Sequence, residues 1–211
     1  MKVRVVTIER EFGSGAAHIA KLLAEQLGWK LWDHLLTTEI ARRARCDRSA
    51  VAQREERTDP LYYRLFKSFL RGSFEGSLNL HRLKLVDSDA IARLTERVVD
   101  EAADEGNCVI VGRGSVFFLA NRADTFHVFI YAPHDDKVRR LVESGTDREE
   151  AVRLVDTVDR ERADFIKRHF GKDWPCRRLY NLMINSRVGD EAVVQTILNG
   201  IATHEKEGST A

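Results

Sequence analysis

The 211-residue chain has only three cysteines, Cys46, Cys108 and Cys176, and no CxxC pair among them. So scattered a set argues for a reducing compartment and against a structural zinc site. No apolar run approaches the ~20 residues of a membrane span, and the N-terminus enters a strand directly without a signal peptide. A cytoplasmic protein with no membrane partner is expected. Excess charge is also lacking: a net charge of +1 sets up no global field for polyanions. No nucleic-acid partner is expected, and any phosphate binding must come from local clusters. Internal repeats and low-complexity linkers are missing too.

What is present suits a globular chain: 43% of residues are hydrophobic and 32% charged. At this length a single domain, or a domain with a sizeable insertion, buries about 70% of the surface of its unfolded chain. Val3, Val5, Val6 and Ile8 form a β-branched run of the kind found in buried parallel strands. Further strands are expected at Lys30–Trp32, Cys108–Val111, Thr125–Tyr131 and Leu179–Ile184. Between them the 3.6-residue period predicts helices after Gly15, from His34 to Arg45, from Ser88 to Glu105, from Pro133 to Glu143, over Asp147–Phe170 and over Glu191–Ile201.

The span 46–86 differs in character. It is rich in Arg and Glu around Gln53–Asp59, then aromatic through Tyr62, Tyr63, Phe66, Phe69 and Phe74. It reads as a helical insertion carrying one short apolar helix, Pro60–Arg71, and offering an acceptor-binding or homodimer contact. The core then comprises residues 1–45 and 87–204, with a lid region near 134–178 and a tail at 205–211. Five short strands alternating with helices imply an α/β fold, an open parallel five-stranded sheet covered on both faces.

In such a sheet the ligand lies beyond the C-terminal ends of the strands. That rule gathers Glu9 and Arg10 from strand 1, Asp33 from strand 2, Gly112, Arg113 and Gly114 from strand 3, and Asn185 from strand 5. The first strand runs into EREFGSG and then directly into a helix. The backbone amides of Gly13, Ser14 and Gly15 are thereby placed at a helix N-terminus, where unpaired amides and the helix dipole favour an anion. Arg113 sits between two glycines with little structural duty, and its planar fork suits phosphate oxygens. Asp33 either contacts ligand or caps the helix that follows it. On the helix 147–170, Ala151, Val155, Val158, Phe165 and Ile166 share one face, and Arg162 falls inside that stripe. A charge on a buried face needs a partner. Arg162 is either half of a buried ion pair, with Glu9 or Asp33, or a lid arginine reaching a transferred group.

These pieces, in this order, resemble the cytidylate kinase-like group of P-loop nucleoside monophosphate kinases. The resemblance rests on EREFGSGAA, WDHLL at Asp33, VIVGRG at Val109–Gly114, FIYAP at Phe129–Pro133 with Lys137, Arg139 and Arg140, and YNLMINSRVGDEAVVQTI near the end. It implies a P-loop NTPase-type sheet, ATP with Mg2+, and a nucleoside monophosphate such as CMP as acceptor. Gly13, Ser14 and Gly15 would hold ATP, and Asp33 and Arg113 the acceptor. Arg10, Arg140 and Arg162 would supply catalytic charge.

The loop departs from the P-loop pattern Gly-x-x-x-x-Gly-Lys-Ser/Thr. Arg10 stands at the first glycine, and Ala16 and Ala17 stand at the lysine and the metal-binding hydroxyl. Val111 occupies a position that usually carries an acid for the magnesium shell, so no metal ligand is assigned. These losses leave one alternative, a nucleotide sensor without turnover, and the aromatic insertion leaves a second, an oligomeric scaffold with that insertion as its working surface.

Overall fold

The computed structural model describes residues 2–33, 35, 36, 39, 40, 43 and 88–207. The expected insertion at 46–86, its helix Pro60–Arg71 and its dimer contact lie outside the described residues. The expected helix His34–Arg45 is described only at Leu35, Leu36, Glu39, Ile40 and Arg43, all helical.

Five strands, β1 (Val5–Arg10), β2 (Lys30–Trp32), β3 (Cys108–Val111), β4 (Thr125–Tyr131) and β5 (Leu182–Asn185), form one sheet in the order β2-β3-β1-β4-β5. Every pairing is parallel: Val5 lies opposite Cys108 and Thr125, Trp32 opposite Ile110, and Tyr131 opposite Asn185. The helices are α1 (Ala16–Leu27), α2 (Ser88–Glu105), the short α3 (Ser115–Phe118), α4 (His134–Glu143), α5 (Arg148–Phe170) and α6 (Asp190–Glu207). None of the described helices is long and apolar enough to cross a membrane.

Alternation along the strands feeds two cores, as the side-chain period of two requires. Val6, Ile8, Val109, Val111, Val128 and Ile130 pack with α1 and α6 on one face. Val5, Cys108, Ile110 and Trp32 pack with α2 and the second half of α5 on the other. A third cluster joins Phe12 to α4 and the first half of α5 through Val138, Leu141, Val155 and Val158. The long helix α5 therefore bridges two apolar regions, and Arg162 sits at their junction, between Val158 and Phe165.

Several boundaries differ from the sequence reading. Strand β1 continues through Glu9 and Arg10, because its ladder with β4 runs on to Arg10 opposite Ile130. Strand β5 begins at Leu182 rather than Leu179, and Arg177–Leu179 forms a 3₁₀ turn. Asn181 accounts for the late start: its side-chain Oδ1 accepts the His127 amide at 2.7 Å, where a strand carbonyl would otherwise stand. Helix α6 runs on to Glu207, and Glu205 Oε1 fastens its last turn by accepting the Val3 amide at 2.8 Å. Residues 205–207 thus belong to a helix and not to a tail.

Candidate active site

The loop Glu11–Gly15 joins the central strand to α1. Gly13 and Gly15 both take positive φ, at 75° and 79°. A side chain on Gly13 would meet Cβ of Lys137 at 3.1 Å, so α4 lies directly against the loop. Gly15 caps α1, and the amides of Gly15, Ala16 and Ala17 fall in the first turn, where a helix offers no carbonyl partner. The amide of Ser14 is turned otherwise: it closes on the Glu11 carbonyl at 3.3 Å. Of the three amides read from the sequence, Ser14's is therefore engaged within the loop. Its hydroxyl, by contrast, is buried with no hydrogen-bond partner among the described residues.

Beside the loop lies a buried cluster of charge. Glu9, Arg10, Arg113 and Arg162 are 2%, 3%, 1% and 3% exposed. Arg162 donates through Nη1 to the Arg10 carbonyl and to Asp159 Oδ1, both at 2.7 Å. Asp159 Oδ1 also accepts the Phe12 amide at 2.8 Å, tying α5 to the loop. The ion-pair partner of Arg162 is thus Asp159, one helical turn away, with Glu9 a further carboxylate acting on it. The sequence reading missed Asp159, although its i, i+3 spacing from a buried arginine was a usable signal.

Arg113 occupies a left-handed backbone, φ 61°, between Gly112 and Gly114, which are left-handed as well. A non-glycine residue held there costs energy that the surroundings must supply, a pattern found at ligand sites. Glycine at 112 is required twice over, by its φ of 65° and because the guanidinium of Arg10 fills the space where a side chain would be. Asp33, at the end of β2, is buried and favours the charged form of Arg113. Sequence-predicted Arg10, Arg113 and Arg162 are thereby brought together around Glu9, with Asp33 acting on Arg113.

Burial dominates the titration of this cluster. It pushes the Glu9 carboxyl up, against the pull of Arg10, Arg162, Arg113 and a hydrogen bond to the Gly114 backbone. It pulls Arg113 and Arg162 down, and in both the next contribution is repulsion from Arg10. Such crowding of like charge is tolerated where an anion is meant to share the site.

Arg140 is placed differently from the other arginines. Its Nη1 donates to the Ser14 carbonyl and to Ser186 Oγ, both at 3.1 Å, and its Nη2 donates to the Ser186 carbonyl at 3.2 Å. Lys137 pairs with Glu11 Oε2 at 3.0 Å and lies 3.6 Å from Asp159 Oδ2. An aromatic wall closes the α5 side: Arg162 lies over the Trp174 ring at 5.3 Å, and Phe129 contacts both Trp174 and Tyr180. Neither Trp174 Nε1 nor the Tyr180 hydroxyl has a hydrogen-bond partner among the described residues. In the sequence Lys137 stands out only as part of the basic run after Pro133, whereas no local pattern marks Trp174, Tyr180 or Ser186 as site residues.

Among the described residues the donor set suits phosphate and does not suit a magnesium ion held by the protein. Ala17 and Val111 offer no oxygen at the two expected positions, and the described residues contain no group of three or more His, Cys, Asp or Glu able to hold a metal.

A search of curated proteins found no match. Among solved structures, an uncharacterised protein from Eubacterium ventriosum aligns with TM-score 0.66 and 23% identity, covering 96% of this chain and 99% of that one. Shikimate kinase from Bacteroides thetaiotaomicron aligns with TM-score 0.53 and 18% identity, covering 93% and 97%. Shikimate kinase from Acinetobacter baumannii, solved in complex with shikimate, gives TM-score 0.53 and 18% identity, covering 95% and 94%. These likenesses show the fold, a five-stranded parallel sheet of the P-loop kinase type. The family model described as cytidylate kinase-like matches residues 5–188, from β1 to the turn after β5, and the chain belongs to the cytidylate kinase-like family.

Proposed function

We propose that this protein transfers the γ-phosphoryl group of ATP to a small phosphate-bearing acceptor, a nucleoside monophosphate such as CMP or a similar compact molecule. The observation that carries the reading is the burial of three guanidinium groups, Arg10, Arg113 and Arg162, beside a glycine loop at the strand ends. Phosphoryl transfer needs positioning and charge neutralisation more than covalent chemistry, and this cluster is suited to both.

In this reading the first-turn amides of α1, with Gly13, Gly15 and the Ser14 hydroxyl, hold the donor phosphates. Arg113 and Asp33 hold the acceptor. Arg10 takes over the charge that Ala16 does not carry, and Arg162, anchored by Asp159, faces the transferring group with it. ATP supplies the phosphoryl group and brings Mg2+ on its own phosphates; the protein's part is to bind, orient and neutralise.

The test is ADP release with ATP and each nucleoside monophosphate in turn. Acceptor-dependent turnover is expected, and Arg10→Ala should lower kcat by about 10²–10³ while changing ATP affinity far less. The absence of the loop lysine, the hydroxyl and the strand-3 acid favours one second reading, a nucleotide sensor without turnover. ATP binding with no turnover on any acceptor, unchanged by Ala16→Lys, would establish the sensor and remove the kinase.

A further inference from the structure

We infer that Ser186 and Arg140 are positioning residues that lock the Ser14–Gly15 peptide in the orientation needed to bind a polyphosphate. The inference rests on the reading of this loop as the donor-phosphate site. The Ser14 carbonyl oxygen accepts two hydrogen bonds, from Ser186 Oγ at 2.7 Å and from Arg140 Nη1 at 3.1 Å. Arg140 also donates to Ser186 Oγ at 3.1 Å and to the Ser186 carbonyl at 3.2 Å. The serine hydroxyl thus accepts from the guanidinium and donates onward to the loop, a short chain in which each bond polarises the next.

A trans peptide is planar, with its carbonyl and its N–H on opposite sides. Holding the Ser14 carbonyl toward α4 and the turn after β5 therefore aims the Gly15 N–H the other way. A flipped peptide would present an oxygen to the incoming phosphate in place of a hydrogen. Gly13 and Gly15, both at positive φ, bracket a segment with the backbone freedom for that flip. The Ser14 hydroxyl, 1% exposed and without a hydrogen-bond partner among the described residues, adds a second donor that the loop holds unspent. Arg140 acts through the backbone here, with both of its terminal nitrogens engaged by Ser14 and Ser186. Ser186 carries no charge of its own, and this separates orientation from simple attraction.

The experiment measures inorganic tripolyphosphate binding by calorimetry on the full chain. The apparent affinity of a site falls by the fraction of molecules in the competent state. Ser186→Ala removes the hydroxyl's bond to the Ser14 carbonyl and the one it accepts from Arg140, which keeps its two backbone carbonyls, and should thus weaken tripolyphosphate binding roughly two- to tenfold. The salt dependence of binding should stay as in the wild type, since no charge is removed. Arg140→Ala should weaken binding further and flatten the salt dependence. Ser186→Thr, which keeps the hydroxyl, should restore wild-type affinity.

In the wild type, the amide resonance of Gly15 should move on titration, and this holds even where a variant fails to fold. Equal affinity for wild type and Ser186→Ala, or a Gly15 resonance that does not respond to bound tripolyphosphate, would overturn the lock and leave the phosphate site standing. A wild type that binds no tripolyphosphate would overturn the phosphate site itself, and the lock with it.

Discussion

Gly112→Ala is the substitution whose cost can be worked most directly from the structure. Position 112 has φ 65°, and its amide donates to the Ile8 carbonyl at 2.9 Å, so the turn cannot relax without breaking the β1–β3 edge. The left-handed backbone alone should cost about 1–2 kcal/mol for a residue with a Cβ. The new methyl would also stand within the guanidinium of Arg10, whose Cζ would be 2.8 Å away. Arg10 is 3% exposed, so its guanidinium must shift within a buried cluster, which adds about 1–3 kcal/mol of overpacking. The sum, roughly 2–5 kcal/mol, corresponds to a fall in Tm of about 5–15 °C for a chain of this size.

Urea denaturation of Gly112→Ala, Arg10→Ala and the double variant separates the two contributions. In the Arg10→Ala background the methyl has space, so only the backbone cost should remain and the coupling energy should be about 1–3 kcal/mol. Tripolyphosphate affinity should follow the same pattern, reduced by Gly112→Ala in the wild type and indifferent to it once Arg10 is gone. A cycle with no coupling would show that Arg10 does not occupy the turn, and the proposed charge substitution for Ala16 would lose its structural basis.

Two further outcomes are expected. Arg113→Gly removes the guanidinium while keeping a backbone that prefers positive φ; acceptor affinity should fall roughly ten- to a hundredfold with ATP affinity nearly unchanged, and equal losses for both would put Arg113 on the wrong side of the site. Burial pulls His127 from its ordinary 6.5 down to about 4, with Thr7 Oγ1 2.7 Å from its Nδ1. The folded protein therefore holds this ring neutral while the unfolded chain protonates it. Its contribution is complete above pH 6.5 and is lost as pH falls toward 4, by about 3 kcal/mol at the lower end. Unfolding free energies of wild type and His127→Asn across this window should converge toward acid, and parallel curves would refute the assignment.

The sheet was legible because its signals are local. Each strand is a short stretch of three to seven residues rich in apolar side chains, and the loops after β1 and β3 are punctuated by glycine, as at GSG and GRG. The apolar stripe of α5 was equally readable, down to the misplaced charge at Arg162. What could not be read was which way each charged group turns once the elements meet. Arg140 carries the same pattern as a lid arginine, yet its guanidinium is fixed by Ser14 and Ser186, two residues reached only through tertiary packing. Asp159 had no signal beyond its i, i+3 spacing from Arg162, and it is the packing of α5 against the loop that sets its carboxylate against the Phe12 amide. The left-handed turn at Arg113 was visible only as its flanking glycines. The late start of β5 turns on one amide side chain, Asn181, standing in for backbone.

The placement of β1 has a consequence for how the protein is made. The central strand is the first of the five in the chain, and its two neighbours, β3 and β4, begin at Cys108 and Thr125. At a synthesis rate of about 5–20 residues per second, β1 waits roughly 5–20 s after its own completion for β3 to be made. Throughout that interval VVTIER has both edges open, and the glycine loop behind it has no α4 or α5 to lean against. A nascent chain with this topology therefore carries its central strand unpaired until about half of it has been made, and the surroundings of its glycine loop are among the last features to take shape.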